Sequence, residues 1–199
     1  YSTQLRVGFY DRIPRYTSKS ILTYNFDRRS FLLDADYRCV EEGIQVASDE
    51  WNKLCLGPKF QRIGNNEKAW FKVIYHDEHP SNKGVYAKSF FPHSPARYRE
   101  FIVYPLSLTA EHRPFVSNIS LHELGHILGL RHEFAGDHPH ERHLPSALVG
   151  EENPRSVMNY FDHPRALTLT DVDKRDVRKF YDYNKTTYGI FRIFDVDVV

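Results

Sequence analysis

His122–Glu133 reads HELGHILGLRHE, and the spacing within it, H-E-x-x-H-x-x-G-x-x-H, decides how the rest of the chain is read. His122 and His126 stand four apart, so on a helix their side chains stack on one face and reach a common ion. Glu123 lies about 100° further round the helix, beside such an ion rather than on it. That is the position of a general base for a water held by the metal. Were the helix to continue, His132 would lie roughly 9 Å further along the axis and more than half a turn away from His126. The helix must therefore stop, and Gly129 is the residue that tolerates the left-handed turn this requires. The turn brings His132 back as third ligand. Three neutral imidazoles and a water make the open tetrahedral site of catalytic zinc, whereas structural zinc is usually closed by four protein ligands. With 11 His and 10 Gly in 199 residues, the five fixed positions coincide by composition on the order of one time in ten thousand, so chance is a poor explanation.

The bulk of the chain sets few further limits. A length of 199 residues fits one domain with a core of its own. The 13 Tyr and 14 Phe mark a globular rather than a disordered chain. A net charge of +1 offers no broad attraction to nucleic acid or to an anionic membrane, and neither is expected as a partner. No apolar run approaches the ~20 residues of a membrane span. The first residues do not read as a signal peptide, and Tyr1 in place of Met suggests a processed or trimmed chain, in which a leader or inhibitory pro-segment would be invisible. Cys39 and Cys55 bracket a predicted helix and, if both lie on it, are about 24 Å apart, beyond disulfide reach. Free, mostly buried thiols are expected.

Outward from the motif, Tyr37, Val40, Ile44, Ala47, Trp51 and Leu54 recur at alternating spacings of three and four, which predicts an amphipathic helix capped by Asp34 or Asp36. Short β-like runs cover Ile21–Phe26, Phe60–Ile63, Ala69–Tyr75, Gly84–Phe91 and Phe101–Tyr104. Ala69–Tyr75 is apolar on both faces, as a covered central strand would be. Glu133–Pro154 is rich in His, Pro and charge and reads as irregular. Thr170 and Asp173 have capping-box spacing and predict a last helix through Val177, Phe180 and Tyr181. Tyr188–Val199 alternates apolar and acidic residues like an added strand, to which no function is assigned.

The extended motif resembles that of the metzincin zinc metalloendopeptidases. A second element supports the resemblance: Ser156-Val157-Met158-Asn159-Tyr160 is similar to their methionine turn, and Met158 is the only methionine in the chain. A thioether under three imidazoles supplies a soft apolar floor without competing as a ligand. Tyr160, two positions on, matches the tyrosine that astacins and serralysins use to hydrogen-bond the transition-state oxyanion. Gly84–Pro92 is similar to the sheet-edge strand on which matrixins pair an extended substrate, and Tyr86 and Ala87 are the residues that would lend backbone groups. The resemblance covers about residues 20–182. It implies an α+β fold: a mixed twisted sheet with two long helices above a zinc cleft, and a smaller irregular lower subdomain with a C-terminal helix. We expect one catalytic domain over 1–199, its upper part ending near residue 131.

The departures matter as well. Lys88 stands where matrixins have a histidine for a structural zinc, and no glycine-aspartate-rich calcium loop precedes it, so neither ion site is carried over. Glu133 is astacin-like, yet FAGDHPHERH after it is not. Two other histidine groups, His138 with His140 and His143, and His76 with His79 and Asp77, leave two readings, a second metal site or, the favoured one, solvated loop residues. The expectation is a monomeric, secreted zymogen-derived endopeptidase acting on proteins or peptides, with zinc as cofactor. Zinc on His122, His126 and His132 activates a water, Glu123 moves its proton, and Tyr160 steadies the oxyanion. Phe161–Leu169 would help form the specificity pocket. The alternative is a catalytically silent scaffold that binds zinc and a protein partner; its signature would be a lost glutamate or ligand, and none is lost.

Overall fold

The computed structural model describes residues 4–9, 11–78, 84–132 and 145–198. In chain order these form β1 (Gln4–Val7), β2 (Arg12–Tyr16), β3 (Ile21–Phe26), α1 (Asp34–Asn52), β4 (Lys59–Arg62), β5 (Phe71–Tyr75), β6 (Ala87–Lys88) and β7 (Glu100–Val103). There follow α2 (Val116–Ile127), β8 (Leu130–Arg131), β9 (Ala147–Glu152), α3 (Asp171–Asp182), β10 (Thr187–Tyr188) and β11 (Phe191–Val196). The class is mixed α+β. None of the described helices is long and apolar enough to cross a membrane.

The principal sheet runs β4-β3-β5-β7-β6. Its first four strands are parallel, and β6 closes the edge antiparallel to β7. Burial on both faces suits β5 to the middle: Phe71, Val73 and Ile74 are all buried. Of the Gly84–Phe91 run, only Ala87–Lys88 is paired as strand. α1 and α2 pack on each other, and the Trp51 indole N–H near the end of α1 donates to the Leu121 carbonyl of α2 at 3.0 Å. Neither Asp34 nor Asp36 caps α1. Leu33 holds the cap position without a side-chain bond, and both aspartates lie inside the first turn, where their charge favours the helix dipole.

Two smaller sheets complete the fold. β1 lies between β8 and β9, antiparallel to both, and β2 pairs in parallel with β11, which also carries β10. The N-terminal strands thus pair with residues from 130 onward, across the boundary expected near 131. Ala147–Glu152 is a strand where irregular chain was expected; Gly150, at φ +78°, lets it bulge where its register against β1 shifts. The C-terminal alternation does form a strand, β11.

α3 begins as its sequence says. Thr170 and Asp173 make the reciprocal capping box. The other end of α3 is held by Arg15 of β2, whose guanidinium donates to the carbonyls of Phe180 (3.0 Å) and Tyr183 (2.8 Å) and pairs with Asp195. Tyr181 reaches from α3 to donate its hydroxyl to the Leu128 carbonyl, at the end of the motif helix. Cys39 is half-buried, but Cys55 is exposed rather than buried, because it sits past the end of α1 at φ +54°.

Candidate metal centre and cleft

α2 carries the first half of the motif into the core: His122, Glu123 and His126 are all buried. The helix ends at Leu128 and the chain reverses at Gly129, whose φ is +92°. A side chain there would be strained by that φ, and its Cβ would also lie 2.9 Å from the Pro14 carbonyl of β2. The reversal brings the His132 ring to 5.2 Å from that of His122 and 4.7 Å from that of His126, centroid to centroid.

Hydrogen bonds set the ring orientations. His122 Nδ1 meets the Val157 carbonyl at 2.7 Å, and His126 Nδ1 meets the Leu130 carbonyl at 2.8 Å. A carbonyl only accepts, so both Nδ1 atoms carry the proton and both Nε2 atoms present lone pairs. His122 Nε2 lies 3.2 Å from His132 Nε2, and the three ligand atoms lie within 4.8 Å of one another. Two nitrogens bound tetrahedrally at the ~2.05 Å of a zinc–imidazole bond are roughly 3.3 Å apart. Burial, followed by the neighbouring His132 and His122, pushes the His126 imidazole well below its usual range and keeps it neutral, the form a metal takes. Donor type, tautomer and spacing therefore fit zinc.

Met158 lies fully buried under this group. A Cβ on Gly125 would come 2.5 Å from its sulfur, so the motif's inner glycine makes room for the thioether. The turn itself is pinned from α3: Asp173 Oδ2, while serving the capping box, also accepts the Val157 N–H at 3.2 Å. The capping box was legible in the sequence. Its second task was not, since nothing in the spacing of Asp173 points to residue 157.

Glu123 faces the same cavity. Burial raises its carboxyl to about 7, partly offset by hydrogen bonds from Ser89 and by the Lys88 charge. Ser89 Oγ stands 2.8 Å from Glu123 Oε2 and 2.9 Å from the Glu123 carbonyl. Nothing in the sequence marks this serine, which carries no motif of its own.

The cavity, about 460 Å³, runs between β6 and the chain after Met158. Its lining includes Tyr86, Ala87, Ile119, Phe161, Pro164 and Leu167. Tyr160 is 56% exposed, with its ring 4.3 Å from that of His132. The Tyr86 carbonyl turns inward to the Tyr104 N–H and the Ser107 hydroxyl. Antiparallel pairing alternates inward and outward residues, so Ala87, not Tyr86, aims its backbone groups away from β7. Opposite, Phe9 and Phe91 pack at 4.3 Å and form a wall absent from the sequence reading.

Outside this centre, Glu111, His112 and His163 also gather within 4.8 Å. His112 already meets Thr109 and Tyr86 with its two nitrogens, and His163 Nδ1 accepts the Arg165 N–H. Of the other groups, His76 and Asp77 are exposed. His79, Glu133, His138, His140 and His143 lie outside the described residues.

No curated protein matches the chain. Residues 111–191 match a family model described as Met-zincin. The solved structure of myroilysin is similar over 85% of this chain and 83% of its own, with a TM-score of 0.58 at 14% identity, which is a likeness of fold. The zinc motif and the methionine turn both lie in the stretch that matches the Met-zincin model, and the fold is similar to that of myroilysin.

Proposed function

We propose that the chain is a zinc-dependent endopeptidase that hydrolyses internal peptide bonds of proteins. The observation that carries this reading is the convergence of three imidazole nitrogens, two with their Nδ1 protons committed to carbonyls, beside a buried carboxyl at the base of an open cleft. His122, His126 and His132 would hold the zinc, which when bound would supply Lewis-acid chemistry to a water and the scissile carbonyl.

The chain's own residues do the rest. The extended substrate lies along β6, its backbone paired to the outward N–H and C=O of Ala87. Glu123 accepts a proton from the attacking water at its carboxylate and passes it to the departing amine. Its raised carboxyl suits both halves of that task, because a group near 7 takes and gives a proton at neutral pH. Tyr160, next to His132, donates its hydroxyl to the oxyanion. Ile119, Phe161, Pro164 and Leu167 line the cavity beside the scissile bond and favour an apolar side chain.

The test is casein hydrolysis with and without a chelator, with zinc counted per chain and cleavage positions mapped in a peptide library. One zinc per chain and chelator-sensitive cleavage inside peptides are expected. A zinc-loaded chain that binds peptides but cleaves none would leave the scaffold reading instead, and preferential hydrolysis of small esters would move it to another class of hydrolase.

A further inference from the structure

Within the proposed protease reading, the geometry points to Ser89 as a positioning residue for the Glu123 carboxyl. Ser89 follows directly on β6, the edge strand, whereas Glu123 sits in α2, 34 residues later. Its hydroxyl faces two oxygens of that one residue, the carboxylate Oε2 at 2.8 Å and the main-chain carbonyl at 2.9 Å. A serine hydroxyl has one proton to give and lone pairs to receive. While Glu123 is ionised, Ser89 donates to the carboxylate. Once Glu123 holds the proton taken from water on its other oxygen, Oε1, the Ser89 hydroxyl still donates to Oε2. The carboxyl is therefore held at the same place before and after proton transfer.

The same contact ties the base to the strand on which substrate would lie, since Ser89 is two residues from Ala87. Substrate backbone and general base thus share one rigid reference. A misplacement of about 1 Å at a reacting group can cost about a hundredfold in rate. Ser89 touches no reacting atom; it acts through Glu123.

Ser89→Ala, Ser89→Thr, Glu123→Gln and the Ser89→Ala/Glu123→Gln double variant test this on the zinc-loaded chain. Ser89→Ala is expected to keep one zinc and an unchanged KM while kcat falls about tenfold to a hundredfold. Ser89→Thr, which restores the hydroxyl, recovers most of the loss, and Ser89→Ala slows the Glu123→Gln residual rate no further. An unchanged kcat in Ser89→Ala, or an equal drop in the Glu123→Gln background, overturns the assignment. If the wild-type chain cleaves nothing, the protease reading fails by itself. The contact is then read in metal-free protein from the infrared carboxyl band that Glu123→Gln removes: a shift of that band in Ser89→Ala supports the contact, and no shift overturns it.

Discussion

The two sides of the candidate metal centre are built differently. His122 and His126 are buried on a helix, with ring orientations fixed by carbonyls and a thioether packed beneath. His132 and Tyr160 lie on the far side of a backbone reversal, half-buried and 56% exposed respectively. The buried side sets geometry, tautomer and proton affinity before any ion or substrate arrives. The open side is where a ligand exchanges with solvent. A site that must be both precise and accessible has separated the two demands between helix and loop.

The largest test of that division concerns the proposed base. Glu123→Gln is expected to retain zinc and lose roughly a hundredfold to ten-thousandfold in kcat, measured by steady-state peptide cleavage. A variant that still turns over at the wild-type rate would remove Glu123 from the chemistry. Next come the ligands on each side. His126→Ala and His132→Ala should both abolish stoichiometric zinc, but His126→Ala should lower the melting temperature of the metal-free protein more, because it strands the buried Leu130 carbonyl at a cost of about 1–3 kcal/mol. Equal drops would erase the contrast between the two sides.

A pH series sharpens it further. The folded chain holds a proton on Glu123 up to about pH 7, which the unfolded chain releases near 4.5. That contribution to stability is full below about pH 4.5 and is lost as pH rises to about 7. His126, with its imidazole pushed down, works in the opposite sense, and stability rises towards its ordinary value of 6.5. Glu123→Gln deletes only the first. In metal-free protein the variant should therefore gain on the wild type by on the order of 3 kcal/mol between pH 4.5 and 7, read from denaturant unfolding. A flat difference would mean that burial does not hold the proton there. The smallest effect belongs to the open side: Tyr160→Phe should keep zinc and KM and lose about tenfold to a hundredfold in kcat, since an exposed donor acts in a wetter field than a buried one. Zinc lost with the hydroxyl would make Tyr160 a ligand instead.

Much of the helical half could be read from residue order because its signals are local. Three- and four-residue periodicity marked α1, the histidine spacing marked α2 and its reversal, and Thr170 with Asp173 marked the start of α3. β3 was legible at its observed limits. The small sheets were not. Gln4–Val7 alternates correctly but offers four residues, too few to stand out, and its partners lie more than 120 residues away. Arg12–Tyr16 holds a proline, which reads as a break, yet β2 is an edge strand where a missing N–H is tolerated. Arg15 looks like a surface cation until the C-terminal turn of α3 arrives to use it. Ser89 shows the same limit at the site: a single hydroxyl means nothing until a carboxyl from another element is brought against it.

The parallel pairing of β2 with β11 has a temporal consequence. Arg15 meets Asp195 across 180 residues, and at roughly 5–20 residues per second a ribosome needs on the order of ten to forty seconds to make that stretch. Throughout that interval β2, whose Pro14 carbonyl backs the reversal at Gly129, waits without its sheet neighbour. The loop that carries His132 therefore gains its full backing only when the far strand has emerged, so the candidate site is seated among the last parts of the fold.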